Sequence, residues 1–178
     1  HMTRRSAIML STVSFLLPQS VWAQGQKRAS PHETVSLDVN GKKITITYGR
    51  PYLKGRQVGG EVAPYGKVWR LGADEATKLT VDTRVKIANT LELAPGSYAL
   101  FAIPQADKWT LIVNKVADQW GAFKYDQSQD VGRVELPVTP ASSPVEEFTI
   151  ALTKQSGNTV TLTLAWGNQS VSTTIDLL

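Results

Sequence analysis

The chain contains no cysteine, which excludes disulfides, thiol nucleophiles and thiolate metal sites together. Histidine is almost as scarce. His1 precedes Met2 and reads as a cloning residue, so His32 stands alone in the body of the chain. Transition-metal sites usually gather several His or Cys ligands, so no metal site is expected. A Ser-His-Asp arrangement would have to be built on His32 itself. Its position beside Pro31, ahead of the first strand, is that of an exposed or capping residue. No phosphate-cradling loop or dinucleotide fingerprint occurs, and no cofactor is expected. Beyond residue 23 there is no apolar run near the roughly 20 residues that span a bilayer, so no membrane span is expected there.

What is present begins with a leader. Met2 is followed by Arg4 and Arg5, then by an uncharged, largely apolar run from Ser6 to Leu17, Pro18, and Val21-Trp22-Ala23. This is the order of an export signal, so residues 1–23 are predicted to be a signal peptide and 24–31 a flexible leader. The expected destination is periplasmic or extracellular, by ordinary secretion rather than the twin-arginine route. Losing Arg4 and Arg5 takes the 19 basic residues to 17 against 15 acidic ones, a formal charge of +2. That is too small a surplus for nucleic acid, which is met by a dense basic stripe. The remaining 32–178 fits one domain.

Within that domain, Thr34–Val39 and Lys42–Tyr48 are alternating runs joined by Asn40-Gly41, a preferred type I′ hairpin turn. A two-residue turn pairs Leu37 with Ile44 and Val35 with Ile46 on one face, and Asp38 with Lys43 and Ser36 with Thr45 on the other. Residues 49–76 differ sharply: two prolines and six glycines forbid long regular elements there. An irregular segment of that length is uncommon in a compact domain unless it has a task. Strands are predicted to resume at Thr77–Val81, Val85–Ile87 and Thr90–Leu93. Ser97–Ile103 reads as a strand buried on both faces, and Trp109–Val113 follows. Val116–Trp120 is predicted as a short helix ended by Gly121, and Pro137, Pro140 and Pro144 as a connecting loop. Alternation returns at Phe148–Leu152, Val160–Trp166 and Val171–Leu177, with a turn at Gly167-Asn168. The expected fold class is all-β: an antiparallel two-sheet sandwich or flattened barrel with at most one or two short helices.

Several motifs in one order, Tyr48–Arg56, Pro64–Thr77, Pro95–Pro104, Trp109–Lys115 and Trp120–Tyr125 with Asp130, resemble the bacterial family called domain of unknown function 2911. The likeness runs from about Ser30 to Leu178. It implies exported, β-rich proteins without an established activity, and it carries over no catalytic residue.

The residues themselves suggest where chemistry could sit. Arg50–Arg56 and Tyr65–Arg70 interleave cations with rings, parts suited to carboxylates, sulfates and sugar faces. The plainer reading makes Trp69 and Tyr65 core plugs and leaves the cations solvated. Asp74-Glu75 could supply acid/base groups, but neighbours on a strand point to opposite faces, and pairing with Arg50, Arg56 or Arg70 would simply pin the loop. Trp120–Tyr125 is a second aromatic cluster that could line a groove or lid the sandwich. The leading expectation is a non-catalytic binding module for an anionic saccharide, a peptide or another cell-envelope ligand. Its candidate site is Arg50, Arg56, Trp69, Arg70 and Glu75, with Tyr65, Asp74, Trp120 and Tyr125 behind them. The alternatives are a carboxylate-dependent hydrolase of an envelope polymer, using Glu75 with Asp74, Asp126 or Asp130, and a structural or assembly protein. No pattern in the chain specifies an oligomeric state.

Overall fold

In the computed structural model, which describes residues 30–178, strand β1 (His32–Val39) returns as β2 (Lys42–Gly49) through Asn40-Gly41. Both turn residues have positive φ, 54° and 79°, as a type I′ turn requires. Leu37 faces Ile44, Val35 faces Ile46 and Asp38 faces Lys43, the register expected from the alternation. The expected signal peptide and residues 24–29 of the expected leader lie outside the described residues, whereas Pro31 O accepts from the Arg50 amide at 2.7 Å.

Seven further strands follow: β3 (Thr77–Val81), β4 (Val85–Ile87), β5 (Leu91–Leu93), β6 (Gly96–Pro104), β7 (Lys108–Asn114), β8 (Asp130–Ser156) and β9 (Thr159–Leu177). All pairings are antiparallel, in the order β1-β2-β3-β6-β7-β8-β9-β4-β5. The order is open, with β1 and β5 at its two ends, so the sheet is not closed into a barrel. The two long strands make the layers. Asp130–Pro137 of β8 pairs with β7, whereas Val138 onward pairs with β9. Ile44, Ile46, Leu79 and Trp109 from one half meet Phe148, Ile150, Leu162 and Trp166 from the other in a single buried cluster.

Three local expectations are corrected: first, the turn expected at Gly167-Asn168 lies inside the continuous strand β9, where Gly167 pairs with Val145 at a positive φ of 60°. Pro137, Pro140 and Pro144 lie inside β8, where the register slips between Pro140 and Val145. Proline cannot donate to a ladder, so these residues loosen the pairing where the strand bends between layers. The segment Val116–Trp120 is not helical; the one helical turn among the described residues is a 3₁₀ turn at Gln127–Gln129. Asn114 Oδ1 accepts from the Val116 amide at 3.0 Å and from Gln119 Nε2 at 3.1 Å. The chain then pairs with the end of the irregular excursion: the Ala76 amide donates to Gln119 O at 2.9 Å, and Gly121 to Asp74 O at 2.8 Å. These long-range bonds outweigh a weak helical preference.

Strand β6 is buried on both faces, as its continuous apolar run suggested. Leu100 and Ala102 enter the main cluster, while Ala99 and Phe101 form a second with Ala76 and Ile112. Ala122 and Tyr125 cover that outer cluster, so the segment after β7 acts as a lid over the sheet.

Candidate functional site

The excursion 50–76 leaves β2 at Gly49. A Cβ on Gly49 would lie 2.3 Å from Ala73 O, so only glycine lets the end of the excursion pass this close to the strand. Leu71 and Asp74 take the left-handed conformation, with φ of 54° and 64°. Such backbone strain is typical of segments held by their surroundings. It also breaks the alternation expected of neighbouring residues, and the Asp74 and Glu75 carboxylates converge on one group.

That group is His32. Its Nε2 lies 3.1 Å from Glu75 Oε2 and 3.7 Å from Asp74 Oδ2, and its Nδ1 lies 3.1 Å from Ser30 O. The ring therefore faces oxygen atoms on both sides. Asp74 Oδ2 is buried and has no hydrogen-bond partner, so the nearby imidazole is its main compensation. His32, expected to be an exposed or capping residue, is instead half-buried and central. One sequence signal could have found it: strand pairing sets His32 opposite Gly49, the residue that admits Ala73 and hence Asp74. Among the described residues, no group of three or more His, Asp or Glu is placed to hold a metal ion.

The three arginines divide. Arg50 uses every nitrogen: Nη1 contacts Glu147 at 2.6 Å and Glu33 at 2.8 Å, Nη2 donates to Thr149 Oγ1 at 2.9 Å, and Nε donates to Phe148 O at 3.0 Å. It rivets the start of the excursion to β1 and β8. Arg56 closes a surface turn by donating to Leu53 O and Tyr52 O, both at 2.9 Å. Arg70 is half-buried, and its Nε has no hydrogen-bond partner. Among the described residues, Lys54, Arg56 and Arg70 form no ion pair. All three line a cavity of about 580 Å³, together with Tyr52, Glu61 and Asp74.

The aromatic candidates divide as well. Trp69 is a core plug: it stacks on Trp166 at 5.6 Å and meets Trp109 and Phe148 edge-on. Its Nε1 donates to Gly72 O at 3.2 Å, which ties the excursion to that cluster. Tyr65 roofs Gly59 and bonds the Gln169 side chain through its hydroxyl. Tyr125 packs on Phe101 at 4.9 Å, donates to Asp130 Oδ2 at 2.7 Å and accepts from Arg133 at 2.8 Å. Burial, followed by that bond to Asp130, pushes its hydroxyl pKa up. Asp126 caps the 3₁₀ turn by accepting from the Ser128 amide and hydroxyl, at 2.9 and 2.7 Å. Those bonds hold its carboxyl below the usual range. Asp126 and Asp130 thus work in the lid, while Asp74 and Glu75 meet at His32. Trp120 is the most exposed ring of the candidate set, at 56%, ahead of Tyr65 at 38%.

No curated protein matches the chain, and no solved structure does. Residues 30–175 match the family described as protein of unknown function (DUF2911), and the chain belongs to that family.

Proposed function

We propose that this is an exported, non-catalytic binding protein whose excursion captures a small anionic ligand, with Arg70 as the principal contact. The observation that carries this reading is the state of Arg70. A half-buried guanidinium without an ion-pair partner lines a cavity whose other cations, Lys54 and Arg56, also form no ion pair among the described residues. Buried or half-buried charges are ordinarily paired, so an arginine without an ion-pair partner in a concave wall is suited to a carboxylate or sulfate from outside the chain. Of the acids on the same wall, Glu61 accepts from the Gln57 amide at 2.9 Å, and Asp74 Oδ2 lies 3.7 Å from His32 Nε2. The cavity volume falls in the roughly 300–1,000 Å³ range of small-molecule sites.

A hydrolase has less support. Asp126 and Asp130 are held in capping and lid bonds, and Asp74 and Glu75 converge on one histidine while lining two different cavities, so they do not flank a common cleft.

Thermal melts with a panel of uronic acids, sulfated monosaccharides and short acetylated peptides test the proposal. A true ligand at a hundredfold excess over its Kd should raise Tm by roughly 5–10 °C. Arg70→Ala should remove that rise while leaving the ligand-free Tm close to that of the wild type. Unchanged melts across the panel, or a rise that persists in Arg70→Ala, would overturn it.

A further inference from the structure

On the other side of the strap formed by residues 72–76 lies a second cavity, of about 460 Å³, and its chemistry differs from the first. Glu75 and Trp120 are antiparallel bridge partners, one on the end of the excursion and one on the segment after β7. Directly opposed residues in such a bridge project to the same side, so the carboxylate and the indole stand together at this cavity. Glu75 is held by His32 at 3.1 Å, yet 37% of its side chain stays exposed. Lys78 and Asp118 form an ion pair at 2.9 Å, and Gln119 completes the polar wall.

Charge decides what this cavity suits. Asp118 is matched by Lys78, and Glu75 has the His32 ring among its partners, whereas the first cavity carries three cations without ion-pair partners among the described residues. A charged ligand would have to displace one of these matched pairs. A neutral ligand with an apolar face and several hydroxyls would not. Its face could lie on the indole, where partly positive C–H groups meet the negative π-surface. Its hydroxyls could bond the carboxylates, the lysine and the amide.

The exposed indole favours the same occupant. Trp69, Trp109 and Trp166 are all buried, and the core gains nothing from leaving Trp120 outside it. Trp120 also lines a neighbouring hollow of about 380 Å³ with Phe123, which is 86% exposed. The platform therefore continues past a single ring and would suit successive units of a chain.

We infer that the Glu75–Trp120 cavity is a saccharide-binding site for a neutral sugar unit, separate from the anion-binding cavity at Arg70. The sugar ring stacks on Trp120, Glu75 accepts from its hydroxyls, and His32 fixes the direction of that carboxylate.

Tryptophan fluorescence of the full chain tests this with three probes: chitohexaose, cellohexaose and maltohexaose. At least one should shift the emission and lower acrylamide quenching by about twofold or more. Trp120→Ala should abolish the response, and Glu75→Gln should weaken the affinity at least about tenfold, the scale of a lost charge-assisted hydrogen bond. Circular dichroism and Tm of both variants, measured alongside, establish that they are folded. If none of the three sugars changes the fluorescence, or if Trp120→Ala responds as the wild type does, the site is overturned. Failure of the anion panel at Arg70 would leave this result unaffected, because the two cavities share neither Arg70 nor Trp120.

Discussion

Arg50 and Arg70 stand at the two ends of one irregular excursion, and their guanidinium groups have opposite fates. Arg50 meets two carboxylates, a hydroxyl and a carbonyl; Arg70 has an Nε with no partner at all. Both lie in the same kind of glycine- and proline-broken sequence. The difference comes from what the rest of the chain brings to each. Glu33 on β1 and Glu147 on β8 arrive at Arg50, whereas Arg70 lines a cavity in which, among the described residues, no acid forms an ion pair with it. An arginine in a loop is scaffold or site according to its distant partners, not its neighbours.

The pinned half should be costly to disturb. Trp69→Ala should have the largest effect, about 3–5 kcal/mol of stability lost in denaturant unfolding, because it removes the ring stacked between the layers and anchored to Gly72. Arg50→Ala should cost about 1–3 kcal/mol, since it strands Glu147 and the Phe148 carbonyl. Combined with Glu147→Ala, the loss should fall short of the two single losses added together, as expected for partners in contact. Full additivity would mean that the ion pair contributes nothing.

Tyr48 sharpens the comparison through pH. Its hydroxyl accepts from the Ile150 amide at 2.9 Å, and burial raises its pKa above the ordinary 10.0. The folded state thus favours the protonated phenol. Its contribution is complete below about pH 10 and is lost as the pH climbs past that value. Tyr48→Phe should flatten the fall in Tm seen between about pH 10 and 12. The smallest effect belongs to the open side: Phe123→Ala should change stability by no more than about 0.5 kcal/mol, because the ring is 86% exposed.

Much of this architecture was legible in the residue pattern. Asn40-Gly41 and its flanking alternation gave the hairpin register, because turn and pleat are local rules. The apolar run through β6 announced burial on both faces, and the broken composition of 49–76 announced its irregular path. What escaped depends on long-range contact. Val116–Trp120 is extended because Asn114 and the 74–76 strap hold it, and neither is visible in a helical window. The prolines of β8 read as a loop, yet the strand runs through them at its bend. His32 looked peripheral because its two carboxylates lie more than forty residues away and converge only through the left-handed turn at Asp74. Alternation along a strand argued against such convergence, and it failed where the backbone is not a strand.

The most direct test of the contrast between the two arginines is a side-by-side thermal melt of Arg50→Ala and Arg70→Ala without any ligand. Arg50→Ala should melt several degrees below the wild type, and Arg70→Ala within about 2 °C of it, given roughly 2–4 °C per kcal/mol for a domain of this size. If Arg70→Ala falls as far as Arg50→Ala, then Arg70 braces the fold and the cavity loses its proposed role.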